Sequence, residues 1–169
     1  MSDRSTTDGA RLTRHALRDA TAIARPTPIG AGVTVEHIVC YGTLMRGESH
    51  HALLTAGDVL DDPIAIAIEG TLWSFGAYPA LSIDGATGVM VYGECYHIPS
   101  LDERLAHLDA YEGYDPAHPE SSEYRRIGLA LQANPEETLH AWCYVVDEGY
   151  ARRAALHRIA SGSWRDREG

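Results

Sequence analysis

The chain has 169 residues, a formal net charge of −10 and an apolar fraction of 44%, which together are typical of one globular domain with a proper core. All 14 basic residues are arginine, which excludes Schiff-base chemistry, pyridoxal phosphate attachment and a Walker A lysine. The excess of acidic over basic residues argues against a general nucleic-acid-binding protein, which needs a basic face. Because no apolar run approaches membrane-spanning length and the first residues have no signal-peptide core, the sequence predicts a cytoplasmic protein without a membrane partner.

Residues 1–32 differ from the rest of the chain in composition. A mildly basic stretch predicts a weak helix around residues 10–24, and two prolines with two glycines predict a linker over residues 25–32. We therefore expect residues 1–32 to be a partly disordered extension or a packed accessory helix, and residues 33–169 to form the domain.

The remaining elements alternate irregularly between strand and helix patterns. Strand patterns cover residues 33–42, 63–75, 88–98, 123–131 and 139–146, and helix patterns cover 48–57, 101–112 and 150–160. Five strand regions with few helices predict an α+β domain with a small mixed or antiparallel barrel-like sheet.

The cysteines and histidines show no pattern of metal ligands. Cys40, Cys95 and Cys143 are widely spaced, and each lies inside an apolar strand pattern, so they are predicted to be reduced core residues. The nine histidines have neither H-E-x-x-H nor Cys/His ligand spacing, so no metal site is predicted.

Glu112 lies where the helix pattern calls for an apolar residue. Leu101, Leu105 and Leu108 define one helix face, and Glu112 is the next position on it, followed by Gly113 as a C-cap glycine. Charged residues such as Asp109 fall on other faces, where we expect them to be solvated. A buried carboxylate with a raised pKa suits general acid–base catalysis, but the pattern alone favours a frayed helix end with Glu112 in water.

Two loops carry further candidates. The turn at residues 41–47 follows a strand, so its backbone N–H groups could bind an anion, and Gly42 would let a ligand approach the backbone closely. The motif alone favours an ordinary strand-to-helix turn. In residues 76–81, Pro79 keeps Tyr78 extended, so this loop forms a pocket wall or an ordinary hairpin. Tyrosines surround Glu112 in the run 111–114 and again at Tyr124, where they are either pocket residues or common core-edge residues.

The order of these motifs resembles the gamma-glutamylcyclotransferase-like family, in particular its gamma-glutamylamine cyclotransferase and AIG2-like branch. The resemblance rests on five pieces and covers roughly residues 36–147. The pieces are Tyr41-Gly42-Thr43-Leu44-Met45-Arg46-Gly47 with His51, Tyr78-Pro79, Gly93-Glu94-Cys95-Tyr96, Leu108-Asp109-Ala110-Tyr111-Glu112-Gly113 and Tyr124-Arg125.

The resemblance implies a cyclotransferase that releases 5-oxoproline and a free amine from a small gamma-glutamyl substrate, without a metal or cofactor. It implies that Glu112 is the general base and that Tyr41, Gly42, Thr43 and Leu44 hold the glutamyl group. Tyr78 and Tyr124 are implied as further pocket residues.

Two alternatives stay open at this point: a non-catalytic small-molecule-binding member of the same fold, and an interaction domain that uses the basic N-terminal arm. Neither the leaving amine nor the oligomeric state follows from the sequence.

Overall fold

The computed structural model describes residues 22–85 and 87–167, which form a closed six-stranded barrel and a separate three-stranded sheet. The strands are β1 (Ala22–Pro26), β2 (His37–Cys40), β3 (Ile64–Glu69), β4 (Thr71–Ser74), β5 (Pro79–Ser82), β6 (Met90–His97), β7 (Arg125–Asn134), β8 (Glu137–Val145) and β9 (His157–Arg158). The helices are α1 (His51–Thr55), α2 (Leu101–Tyr111) and α3 (Glu148–Arg153). The predicted α+β fold with a barrel-like sheet is confirmed.

The barrel has the strand order β1-β3-β6-β2-β8-β7 and closes on itself. The pairs β1–β3 and β2–β8 are parallel, whereas the other four pairs are antiparallel. Closure pairs both sides of each strand, which removes the exposed edges of an open sheet. The second sheet has the order β5-β4-β9, and all its pairs are antiparallel. No helix in the described part of the chain is long and apolar enough to cross a membrane.

Helix α2 buries the predicted leucine face. Leu101, Leu105 and Leu108 are all buried, so the periodicity predicted this face correctly. Gly113 has a φ of 65°, the left-handed conformation that a glycine after a helix provides at low cost. The expectation that Asp109 is solvated is wrong, because Asp109 is buried against an arginine and a tyrosine from β7 and β8.

The predicted boundary of the domain near residue 32 is also wrong. Residues 22–26 form β1, which pairs with both β3 and β7, so the barrel begins before the predicted linker. Ala22 and Ala24 are buried in this strand. Pairing with two neighbouring strands outweighs the weak local helix pattern. The rest of the predicted helix lies in residues 1–21, outside the described residues.

The predicted C-terminal helix is shorter than expected. It ends at Arg153, and the chain turns through Ala155, whose φ is 53°, before residues 157–158 pair with β4. The pairing of Trp73 with Arg158 extends the second sheet. Residues 157–158 therefore form a strand beside β4, although their local sequence pattern is helical.

Candidate active site

A cavity of about 320 Å³ lies beyond the last residues of β2 and β8, where α2 also ends. It contains all the site residues that the sequence singles out: Glu112, Tyr41, Gly42, Thr43, Leu44, Tyr78 and Tyr124. Residues from four separate chain segments thus meet around one space. The other lining residues are Val39, Cys40, Pro79, Ala110, Tyr111, Gly113, Glu123 and Tyr144.

Glu112 is the C-cap of α2, and its carboxylate faces the cavity. The backbone N–H of Glu112 donates to the Leu108 carbonyl at 2.9 Å, and the turn at Gly113 directs the chain away from the helix axis. The side chain is half-buried. Burial, followed by the charge of Glu123, raises the pKa of Glu112 from 4.5 to about 7. A carboxyl group with this pKa can both accept and donate a proton near neutral pH.

The turn after β2 lines the cavity and includes backbone N–H groups without an acceptor among the described residues. The Gly42 carbonyl accepts from the Met45 N–H at 3.0 Å, and the Thr43 carbonyl accepts from the His50 N–H at 2.9 Å. In contrast, the N–H groups of Gly42, Thr43 and Leu44 donate to no other group in the described residues. Free backbone N–H groups are the kind of donor that binds a carboxylate or a developing oxyanion in other proteins.

His51 fixes the orientation of this turn. Its Nδ1 lies 2.7 Å from the Leu44 carbonyl oxygen, and since a carbonyl can only accept, Nδ1 carries the proton. The ring packs against Tyr96 at a centroid distance of 5.4 Å. The sequence motif includes His51 but does not reveal this supporting role, because the contact depends on the way α1 folds back on the turn.

Gly42 packs against the neighbouring hairpin in a way that leaves no room for a side chain. A Cβ on Gly42 would lie 2.2 Å from Cγ and 2.8 Å from Cδ of Pro79, so it would collide with the proline ring of the neighbouring hairpin. The absent side chain therefore makes room for Pro79, and the expectation that Gly42 lets a ligand approach the backbone closely stays a prediction. This packing fixes the turn against the β4–β5 hairpin.

Buried tyrosines join the walls of the cavity. Tyr41 donates to the Tyr144 carbonyl at 2.7 Å and accepts from the Leu81 N–H at 3.3 Å. Tyr124 donates to the Pro79 carbonyl at 2.8 Å. Burial raises the pKa of Tyr41 and Tyr124 well above the usual value for tyrosine, so both hydroxyls are neutral near pH ~7. Both hydroxyl protons are donated to backbone carbonyl oxygens. The two tyrosines are therefore better suited to forming the cavity wall than to donating a proton to a substrate.

An ion pair behind the cavity anchors the end of α2. The Tyr144 hydroxyl donates to Asp109 Oδ1 at 2.6 Å, and Arg126 Nη1 lies 3.2 Å from Asp109 Oδ2 as a close ion pair without hydrogen-bond alignment. The Arg126 guanidinium lies over the Trp142 ring at 4.9 Å and near the Tyr114 ring at 5.7 Å. These contacts hold the helix one turn before Glu112.

Two lining residues at the cavity escaped the sequence analysis. Glu123 directly precedes Tyr124, and only this adjacency could have indicated it. Tyr144 lies in β8 among other apolar residues, where the sequence gives no signal that separates it from the core. Tyr111, from the tyrosine-rich run, is exposed at the mouth of the cavity and its ring lies 5.6 Å from that of His50.

The cavity combines a carboxyl group suited to acid–base chemistry with a thiol that is poorly suited to nucleophilic attack. Cys40 is a buried thiol in the cavity wall whose pKa is raised well above its usual value by burial, which makes it a poor nucleophile. Within residues 22–85 and 87–167, no group of three or more His, Cys, Asp or Glu side chains is placed to hold a metal ion.

Comparison with known proteins identifies the family. The family model described as "Gamma-glutamyl cyclotransferase, AIG2-like" matches residues 38–166. The "Putative gamma-glutamylcyclotransferase" of Vibrio cholerae serotype O1 is 34% identical over 132 residues, which are 77% of this chain and 96% of that relative.

Two solved structures share the fold at low sequence identity. YkqA from Bacillus subtilis is 21% identical with a TM-score of 0.53, over 79% of this chain but only 40% of YkqA. The uropathogenic Escherichia coli protein c4763 is 18% identical with a TM-score of 0.55, over 79% of this chain and 94% of that protein. These two likenesses concern the fold alone. The family match and the relative from Vibrio cholerae confirm the resemblance seen in the sequence, and the chain belongs to the AIG2-like gamma-glutamyl cyclotransferase family.

Proposed function

We propose that the protein is a gamma-glutamyl cyclotransferase that converts a gamma-glutamyl amine or amino acid into 5-oxoproline and the free amine. The observation that carries the proposal is the pairing, in one cavity, of a carboxyl group with a pKa near neutrality and a turn with three free N–H donors. Family membership supports the general reaction. The residues of the site suggest how the reaction proceeds.

In the proposed reaction the nucleophile belongs to the substrate. Ionised Glu112 takes a proton from the α-ammonium group, and the freed amine attacks the γ-carbonyl carbon, so a new C–N bond closes a five-membered ring. The carbonyl oxygen becomes an oxyanion. As the oxyanion collapses, the bond to the leaving nitrogen breaks, and Glu112 returns its proton to that nitrogen. The new ring nitrogen still carries one proton more than the lactam needs, and this second proton passes to the released amine, which leaves as an ammonium ion. One carboxyl group thus serves first as base and then as acid, and the reaction needs no cofactor.

The turn after β2 has two possible partners on the glutamyl group. Its free N–H groups at Gly42, Thr43 and Leu44 can bind the α-carboxylate of the substrate or stabilise the oxyanion. Either contact would hold the glutamyl chain in a folded, ring-like pose, in which the amine and the γ-carbonyl are close. Such positioning can supply a large share of the rate enhancement.

The proposal is tested by incubating the protein with a panel of gamma-glutamyl amines and measuring 5-oxoproline. Glu112→Gln should reduce turnover by roughly 10²–10⁴-fold, because the amide keeps the shape but cannot accept the proton. The matched control is Glu103→Gln, which changes an exposed carboxylate of the same helix. Turnover near the wild-type rate in the Glu112 variant would remove this residue from the mechanism.

A second substrate pair distinguishes a cyclotransferase from a hydrolase with the same site. An N-acetylated gamma-glutamyl amide has no free α-amine, so it should not react at any concentration. Cleavage of the acetylated compound, or release of glutamate instead of 5-oxoproline, would replace the proposal with hydrolysis. A protein that binds these compounds without releasing either product would be the non-catalytic alternative.

A further inference from the structure

The turn after β2 is held from outside the cavity by a polar network that the proposed reaction does not use. Arg46 lies near the end of this turn, and neither Arg46 nor its partners line the cavity. The Arg46 N–H donates to the Tyr96 hydroxyl at 2.7 Å and to Glu94 Oε2 at 3.2 Å. The Arg46 carbonyl accepts from Arg165 Nη2 at 2.6 Å. Residues from outside the turn therefore hold both backbone groups of Arg46.

Arg165 connects the barrel to the backbone of the turn. It belongs to the short 3₁₀ helix at Trp164–Asp166 and lies 119 residues after Arg46 in the sequence. Its Nη1 donates to Glu94 Oε1 at 2.7 Å. The side chains of Arg165 and Glu94 are only 21% and 13% exposed, so the pair is largely shielded from water. One guanidinium thus joins a carboxylate of β6 to a carbonyl of the turn.

The chain before Arg165 is packed against β6. The Tyr92 N–H donates to the Gly162 carbonyl at 2.9 Å. A Cβ on Gly162 would lie 2.0 Å from the Met90 carbonyl oxygen, so the two backbones are in direct contact. Trp164 is fully buried. Arg165 therefore reaches the turn from a segment that is itself held by the barrel.

Glu94 provides Arg165 with an ionised partner. Burial acts to raise the pKa of Glu94, but the hydrogen bonds from Arg165 and Tyr96 outweigh it and lower the pKa below its usual value. Hydrogen bonds between two charged groups are shorter and stronger than those between neutral groups. The orientation of the guanidinium is therefore well defined on its Glu94 side.

The position of Arg46 affects the residues before it in the turn. The Met45 N–H donates to the Gly42 carbonyl at 3.0 Å, and the Met45 carbonyl accepts from the Glu48 N–H at 3.0 Å. Because the peptide group is planar, holding the Gly42 carbonyl also fixes the direction of the Thr43 N–H. A displacement of Arg46 would move Met45 and loosen its bond to Gly42, so the direction of the Thr43 N–H would change.

We propose that Arg165 is a positioning residue for the reaction: by holding the Arg46 carbonyl beside β6, it keeps the turn after β2 in the geometry that binds the glutamyl group. This inference rests on the proposed function and extends it to a residue outside the cavity. The role requires an arginine, because a planar guanidinium can donate to a carboxylate and a carbonyl at once, whereas a lysine ammonium is a compact point charge.

The first test is the exchange Arg165→Lys, which keeps the positive charge beside Glu94 and removes the planar donor. With a gamma-glutamyl amine as substrate, KM should rise and kcat/KM should fall by roughly 10–100-fold, as expected for a small displacement of a binding group. The matched control is Arg167→Lys, because the Arg167 guanidinium lies over the Trp164 ring at 4.1 Å and should not affect turnover. Wild-type values of KM and kcat/KM in Arg165→Lys would overturn the inference.

Binding measurements separate positioning from a loss of stability. The probe is the monoethylamide of glutaric acid, which keeps the carboxylate of the glutamyl group but has no α-amine and cannot cyclise. Calorimetry should show that Arg165→Lys binds it about tenfold more weakly than the wild type, with the same number of sites per chain. Fewer sites with an unchanged Kd and an unchanged KM would show that Arg165 only stabilises the fold, and would overturn the inference.

The pH profile provides a second check on the mode of action. The kcat/KM of Arg165→Lys should keep the apparent pKa of about 7 expected for Glu112, because Arg165 acts on the turn and not on the base. A shifted apparent pKa would show that the exchange disturbs Glu112 itself, and would also overturn the inference.

Complete removal of the guanidinium requires a second substitution. Arg165→Met alone leaves the Glu94 carboxylate buried without its cation, which destabilises the fold. The double variant Glu94→Gln with Arg165→Met has no unpaired charge at this position. Its kcat/KM should be about tenfold or more below that of Glu94→Gln alone, in which Arg165 can still donate to the Arg46 carbonyl. Equal kcat/KM in these two proteins would overturn the inference.

The two activities can fail separately. Release of 5-oxoproline by the wild type, with unchanged kinetics in the Arg165 variants, would overturn the positioning role and leave the cyclotransferase intact. A wild type that releases no 5-oxoproline, but binds the glutaric monoethylamide more tightly than Arg165→Lys does, would overturn the cyclotransferase. The role of Arg165 in holding the turn for the glutamyl group would then remain.

Discussion

Ionisation of Glu112 should destabilise the folded protein, and Glu112→Gln should remove this effect. Burial raises the pKa of Glu112 from 4.5 to about 7 in the folded state. Between these values the folded protein holds a proton that the unfolded chain has released, so the free energy of unfolding falls as the pH rises. Below the lower value both states are protonated and the penalty vanishes. Above the higher value the penalty is complete.

The size of the penalty follows from the two pKa values. At about 1.36 kcal/mol per pKa unit, the difference corresponds to about 3 kcal/mol, which we reduce to about 2–3 kcal/mol because the side chain keeps some contact with water. Glutamine is uncharged at every pH. The variant and the wild type should therefore be almost equally stable at a pH of about 4, and the variant should be more stable by this amount at a pH of about 8.5.

Chemical denaturation across this pH range measures the effect directly. The quantity to plot is the difference in free energy of unfolding between Glu112→Gln and the wild type. The contributions of all other titrating groups are the same in both proteins and cancel in this difference. Glu103→Gln is the control, because this carboxylate is exposed on the same helix and its difference should stay flat. A flat curve for Glu112→Gln as well would refute the view that Glu112 is held in a desolvated position.

Three further predictions concern catalysis and the walls of the site. The kcat/KM of the wild type should rise with pH through an apparent pKa of about 7, because only ionised Glu112 can act as the base; a rate independent of pH from about 5.5 to 8.5 would exclude this role. Asp109→Asn should lower the free energy of unfolding by about 3 kcal/mol in denaturation experiments, because Arg126 stays buried without its counter-charge. A loss below about 1 kcal/mol would show that the ion pair is well solvated. Gly42→Ala should reduce turnover by displacing the turn from Pro79, and Pro79→Ala in the same chain should restore part of it; full activity in Gly42→Ala would contradict the packing described here.

Local patterns predicted the parts of the site that depend on one element each. The leucine spacing of α2 placed Leu101, Leu105 and Leu108 in the core. It also put Glu112 on the same face, although the pattern alone favoured a frayed helix end with Glu112 in water. The position of Gly113 signalled the end of the helix. These predictions need only the period of a helix and the conformational freedom of glycine.

The sequence could not reveal features that depend on distant segments. Asp109 is buried because Arg126 and Tyr144 reach it from two strands, and their meeting is set by the barrel rather than by spacing. The role of Gly42 depends on Pro79, which belongs to another sheet. Similarly, β1 exists because β3 and β7 offer it two partners, and its own residues show only a weak helix pattern.

The oxygen atoms of the products show whether the substrate's own amine or a water molecule attacks the γ-carbonyl carbon. The wild-type protein is supplied with a gamma-glutamyl amine in water enriched in the heavy oxygen isotope, and the products are analysed by mass spectrometry. Because the substrate's own amine displaces the leaving amine, water takes no part in the proposed reaction, so we expect 5-oxoproline without the heavy isotope. Glutamate that contains one heavy oxygen atom would instead show attack by water and would exclude cyclisation by the substrate's own amine.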